Sequence, residues 1–194
     1  MVENKEFEGQ MMENLVEKQI SREEIYNGIV LKVVRDEVLL PNGKTAVREF
    51  CQHLGAVAVI PILEDGRVVM ERQYRYAHGR VFFEIPAGKL EGKDEEPLEA
   101  VKRELREETG GIAEKYTYLG RIDASPALID EKIYLYLAEN ISFGERELDD
   151  DEFLNVEFVP LDDLYTMVMN GEISDAKTQI AVLKAKAIIN ERKI

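Results

Sequence analysis

At 194 residues the chain fits one domain, or one domain with an extension, and its 45% hydrophobic content can fill a core, which argues against disorder of the whole. A formal net charge of −14 argues against nucleic acid or an anionic membrane surface as partner, and means that a phosphate-bearing substrate would need local arginines or metal ions. A single cysteine, Cys51, excludes an internal disulfide framework, the N-terminal stretch has no apolar run of signal-peptide length and no stretch approaches membrane-span length, so a soluble, cytoplasmic protein is expected.

Residues 1–20 are polar and Glu-rich, with a weak helical pattern in Met11, Met12, Leu15 and Val16. From Ile25 to Phe50 the texture is β, with Asn42-Gly43 as a hairpin turn between IVLKVVRDEVLL and TAVREF. AVAVIPIL (56–63) is almost continuously apolar and reads as a buried central strand. Asp65-Gly66 turns the chain into the alternating RVVMERQYRY, and VFFEIP is a further strand closed by Pro86. A helix follows, with Pro97 in its first turn, a Leu98–Val101–Leu105 stripe toward the core, and Gly110-Gly111 at its end. Strands YTYLGRI and IYLYLAE, the acidic turn ELDDDE, the strand NVEFVP and two closing helices complete the chain. The order predicts an α+β sandwich of sheet and helices.

The central helix carries Glu104, Glu107 and Glu108 close together. Like charges at this spacing cost about 0.2–0.5 kcal/mol per pair. On a helical wheel Glu108 lies about 40° to one side of Glu104 and Glu107 about 60° to the other, so the acids border the apolar stripe. Lys102 and Arg106 point away, and only Arg103 flanks the acids. Such an arrangement suits a hard divalent cation such as Mg²⁺. A solvated acidic surface is the alternative that charge pattern alone leaves open.

Gly88, Glu95 and then Arg103-Glu104-Leu105-Arg106-Glu107-Glu108-Thr109-Gly110 resemble the signature of the Nudix hydrolases. Two departures stand out. Six residues instead of five separate Gly88 from Glu95, as if the loop around Gly92-Lys93-Asp94 held an insertion, and Gly111 takes the final apolar position. The resemblance implies a Nudix-type α/β/α sandwich with a mixed sheet. It implies Glu104 and Glu108 as principal metal ligands, Glu107 as a further one, the Ala87 carbonyl completing coordination, Arg103 orienting the acids, and two or three Mg²⁺ (or Mn²⁺) ions gripping a pyrophosphate.

RQYRY (72–76), FFEIPAGKLE (82–91), and Pro126 sixteen residues after Gly110 resemble the ADP-ribose pyrophosphatase branch, although Ala127-Leu128 stands where that branch has Gly-Phe. Substrate binding then falls to Arg75 first, Arg80 second, and Arg72, which alternation places with Tyr74 on the face opposite Arg75. Each could equally be an exposed strand cation. Glu84 could accept from the adenine amino group or form a cross-strand salt bridge. A general base is expected on a late loop, and among Glu147, Asp149, Asp150, Asp151 and Glu152 the choice is Glu152. His53 and His78 do not form a metal pair by spacing. The expectation is therefore a nucleotide-sugar pyrophosphatase cleaving ADP-ribose, with GDP-mannose as the alternative substrate and a non-catalytic nucleotide-binding module as the rival class. Residues 1–50 would be a dimerising extension and 51–194 the catalytic domain, in a homodimer with two composite sites.

Overall fold

The structure, a computed structural model, describes residues 15–148 and 152–192, and its backbone forms two compact units. Residues 15–53 and 125–130 make the first. In it β1 (Lys18–Asn27), β2 (Lys32–Leu39) and β3 (Thr45–Gln52) form an antiparallel sheet in that order. The β2–β3 turn uses Gly43 at φ 80°, and the Asn42 side chain accepts from the Lys44 N–H (3.0 Å). Strand β1 starts earlier than the β texture of the sequence suggests. KQISREEIYN has no apolar alternation and is exposed throughout, so its ladder with β2 and ion pairs such as Arg22–Asp36 (2.6 Å) hold it. Met11 and Met12 lie outside the described residues, and Leu15 and Val16 are exposed.

Among the described residues the second unit contains two sheets and three α-helices. A mixed four-stranded sheet has the order β7 (Ala87–Lys89), β4 (Ala56–Pro61), β9 (Lys132–Phe143), β8 (Gly111–Asp123), with β4 and β9 parallel. An antiparallel sheet has the order β10 (Leu154–Pro160), β5 (Arg67–Arg75), β6 (Arg80–Glu84). The helices are α1 (Pro97–Thr109), α2 (Leu161–Met169) and α3 (Ala176–Glu191). Every residue of β4 is buried, which explains its unbroken apolar run. Ala56, Ala58 and Ile60 join Met70, Ile85, Leu164 and Val182 in one core, while Val57 and Val59 meet Val101 and Leu105 of α1 in another. This is the expected α+β sandwich, with a helix on each side of the sheet layer.

Helix α1 differs from its expected pattern. Pro97 opens it and Gly110, at φ 73°, closes it with its N–H on the Arg106 carbonyl (2.8 Å), but Leu98 is exposed. The buried face is Ala100, Val101, Glu104, Leu105, Glu108 and Thr109. Two of the acids therefore sit inside the apolar stripe instead of bordering it. Among the described residues no helix is long and apolar enough to cross a membrane.

Candidate active site

Alternation along β5 puts Glu71, Gln73 and Arg75 on one face, and Glu71 lies directly across from Glu84 of β6. On α1, Glu104 and Glu108 are one turn apart. Glu71, Glu84 and Glu108 are each 2% exposed and Glu104 8%, so four carboxylates are withdrawn from water in one connected series. Their electrostatics record that crowding. Burial, and then the charge of Glu84, push Glu71 up to about 8. Burial pushes Glu104 up to about 7 against the pull of Arg103, and burial with the charges of Glu71, Glu104 and Glu152 lifts Glu108 well above the usual carboxylate range.

The ends of the series are neutralised by side chains. Glu84 accepts from Arg75 Nε (2.7 Å) and from Lys177 Nζ, and Lys177 also pairs with Asp175 (3.1 Å). Glu104 accepts from Arg103 Nη1 (2.8 Å), which also reaches Glu107 (3.1 Å). The other guanidinium nitrogens reach Glu95 (3.3 Å) and the Lys89 carbonyl (3.1 Å). Glu95 takes a structural role in this arrangement. Its second oxygen accepts from the Glu91 N–H (2.6 Å), closing the lengthened loop.

The outer edge of β7 faces α1. Pro86 accepts from the Val59 N–H and Leu90 donates to the Gly55 carbonyl, so those residues face β4. The alternate residues Ala87 and Lys89 turn the other way: Ala87 N–H donates to Glu108 (2.9 Å) and Lys89 C=O receives Arg103. A strand residue sends N–H and C=O to the same side, so the Ala87 carbonyl also leaves toward α1. A Cβ at Gly88 would fall 1.9 Å from the Glu104 carboxyl carbon, which makes this glycine a matter of close approach. Among the described residues no three acidic, His or Cys side chains already converge as a ready-made cation cage. The Arg103 guanidinium pairs with both Glu104 and Glu107.

The acidic loop after β9 is strapped to the end of α1. Gly144 N–H donates to Gly110, Glu147 N–H to Glu107, and Arg146 Nε to the Glu108 carbonyl (2.8 Å), while Glu147 pairs with Arg106 (3.3 Å). Asp149, Asp150 and Asp151 lie outside the described residues. Glu152 is half-buried, and its charge is felt at both Glu104 and Glu108.

Arg72 takes the opposite face of β5 from the carboxylates, pairs with Glu157 (2.5 Å) and covers the Phe83 ring at 4.3 Å. Arg80 donates to Ser174 (2.7 Å) and lies over Phe82, on which His78 also packs. Glu84 forms salt bridges with Arg75 on the neighbouring strand and with Lys177. Pro126 is exposed in the 125–130 loop of the first unit, and His53 donates its N–H to Asp130 there (2.7 Å). Two residues escaped the sequence reading. Glu71 continues the period-two face of Gln73 and Arg75 by one step, which was a usable signal. Lys177 is one residue beyond the first position of α3, where only tertiary packing brings it to Glu84.

A family model, the NUDIX domain, matches residues 52–179. The ADP-ribose pyrophosphatase of Bacillus subtilis (strain 168) is 44% identical over 173 residues, 88% of this chain and 93% of that one. The methanol dehydrogenase activator of Bacillus methanolicus is also 44% identical, over 86% of this chain and 90% of its own length. The crystal structure of an ADP compounds hydrolase superposes with a TM-score of 0.81 over 92% of this chain and 97% of that one, at 21% identity.

Proposed function

The chain belongs to the NUDIX family and is a pyrophosphatase, and from that premise we propose that it hydrolyses ADP-ribose to AMP and ribose 5-phosphate in an Mg²⁺-dependent reaction. The observation that carries this reading is the pair Glu104 and Glu108, both buried on α1 against the outer edge of β7. The donors fit a hard cation. They are oxygens only, burial first and the charges of neighbouring carboxylates second raise their proton affinity, and Gly88 leaves room for Glu104 where any side chain would fill it. Glu104, Glu108, Glu107 and the Ala87 carbonyl would hold the ions, Mg²⁺ or Mn²⁺ and two or three in number, which supply positive charge to the diphosphate and polarise the attacked phosphorus.

The chain's own residues do the rest. Arg103 fixes the directions of Glu104 and Glu107. Glu152 takes the proton of the attacking water from a loop whose first half is tied to α1. Arg75, held by Glu84, and Arg80 meet the substrate's anionic and ribose groups, while Arg72 is engaged elsewhere. The exposed apolar side chains of the first unit, Ile25, Tyr26, Val30 and Val47 among them, support a homodimer through that sheet.

The test is a panel of ADP-ribose, GDP-mannose and dinucleoside polyphosphates, each with Mg²⁺, with Mn²⁺ and with chelator. ADP-ribose should give the highest kcat/KM, with AMP and ribose 5-phosphate as products. Preference for GDP-mannose would move the assignment to that nucleotide sugar, and turnover in chelator would remove the metal from it.

A further inference from the structure

The four buried carboxylates are unevenly compensated. Glu84 at one end has Arg75 and Lys177, and Glu104 at the other has Arg103. The two in the middle, Glu71 and Glu108, have no ion pair among the described residues. Glu108 receives only the neutral Ala87 N–H. Arg146 influences Glu71 through space but spends its hydrogen bonds on the carbonyls of Glu108 and Leu154. Glu71 Oε1 is also fully buried without a hydrogen-bond donor, the single such side-chain atom among the described residues. A buried carboxylate oxygen left without donor or cation costs several kcal/mol by general solvation arguments, and such groups persist where something absent from the protein itself completes them.

We infer that Glu71 is a cation ligand in addition to the four ligating groups already assigned, its free Oε1 and the Glu108 carboxylate together holding one divalent ion. The inference rests on the proposed metal-dependent reading and extends it to a residue on another element, strand β5, outside the helix that carries the remaining acids. It also accounts for Glu71 lying directly across from Glu84. Arg75 and Lys177 screen Glu84, so Glu71 can remain beside it without having to share their cations. A hard oxygen-only pair of this kind suits Mg²⁺ or Mn²⁺ and discriminates against thiol-seeking metals.

The experiment is Mn²⁺ binding without substrate, followed by calorimetry and by the electron-spin resonance of free Mn²⁺, on the wild-type chain, Glu71→Gln and Glu108→Gln, with folding checked by circular dichroism. Glu71→Gln should fold and lose one bound Mn²⁺ per chain, or bind it at least tenfold more weakly. If Glu71→Gln fails to fold, Glu71→Asp, which keeps the charge and shortens the reach, should fold and show the same loss. A Glu71 variant that folds and titrates like wild type while Glu108→Gln loses metal would overturn this inference and leave the proposed function standing. Unchanged titration in both would overturn the metal reading itself.

Discussion

Glu104 packs over Gly88 so closely that a methyl group there would overlap its carboxylate, and no positive φ is involved. The strand conformation would accept alanine. What it would displace is the end of a flexible side chain. Gly88→Ala should therefore leave the thermal midpoint within a few degrees of wild type and lower kcat by about 10², the effect of misplacing a reacting group by roughly 1 Å. Thermal denaturation beside steady-state kinetics separates the two effects. A variant with unchanged kcat would show that the position of Glu104 is irrelevant to turnover.

Arg103 contacts Glu104, Glu107, Glu95 and Lys89 through its guanidinium fork. Lysine keeps the charge but cannot span those directions. Arg103→Lys should cost about 10- to 100-fold in kcat/KM, the scale expected when a supporting partner of metal ligands is lost, and raise the Mg²⁺ concentration needed for half-maximal rate. A variant of unaltered Mg²⁺ dependence would reduce Arg103 to a surface cation.

Much of this arrangement is legible in the chain, for reasons of local chemistry. The apolar run of β4, the Asn42-Gly43 turn and the Pro97-to-Gly110 helix follow from periodicity and backbone preference, and the acids of α1 stand out by spacing. What is not legible depends on partners distant in sequence. Strand β1 is polar and is ordered by its ladder with β2. The burial of Glu104 and Glu108 is set by the edge of β7, and Lys177 meets Glu84 across 93 residues of chain. Leu98 looks like the start of the core stripe on a wheel, but the buried face of α1 begins at Ala100.

That long-range contact gives a stability prediction. Glu84 is buried, and Lys177 is its more enclosed partner. Lys177→Met leaves the carboxylate with Arg75 alone and should cost about 2 kcal/mol, in the range for a hydrogen bond to a buried charge. The Thr178 hydroxyl, which accepts from the Ile85 N–H (3.0 Å), keeps α3 docked, so the fold survives. Adding Glu84→Gln to Lys177→Met should recover part of the loss, as urea denaturation of all three variants will show. A loss in the double variant equal to the sum of the two single losses would mean that the pair is not coupled.

Proton linkage makes a further prediction for the metal-free protein. Glu71 and Glu104 are pushed up to about 8 and about 7, whereas the unfolded chain releases these protons near the ordinary value of 4.5. Between those limits the folded state holds more protons than the unfolded one, so stability falls as pH rises. In excess chelator the thermal midpoint should drop from about pH 5 to about pH 8. Excess Mg²⁺ should flatten the profile and stabilise most at the alkaline end, because it binds the deprotonated folded form. A chelated midpoint that climbs through this window would contradict the crowding of the four carboxylates.

The loop that follows β9 carries three described glutamates, Glu145, Glu147 and Glu152, and the surroundings of the last two separate them as candidates for proton transfer. Glu147 is bound into the exit of α1, with its N–H on Glu107 and its carboxylate on Arg106. Glu152 lies beyond that strap, and its charge acts on both Glu104 and Glu108. Glu152→Gln should lower kcat by about 10² to 10⁴, as for loss of a general base, while leaving Mn²⁺ titration close to wild type because the α1 acids are intact. Glu147→Gln removes an exposed ion pair, worth about 0.2–1 kcal/mol, and should stay within a few-fold of wild-type kcat. Should Glu147→Gln prove the more damaging of the two, the proton acceptor would have to be sought on the α1 side of the strap. The position of Arg146, anchored on the Glu108 carbonyl between them, would then be the next point to test.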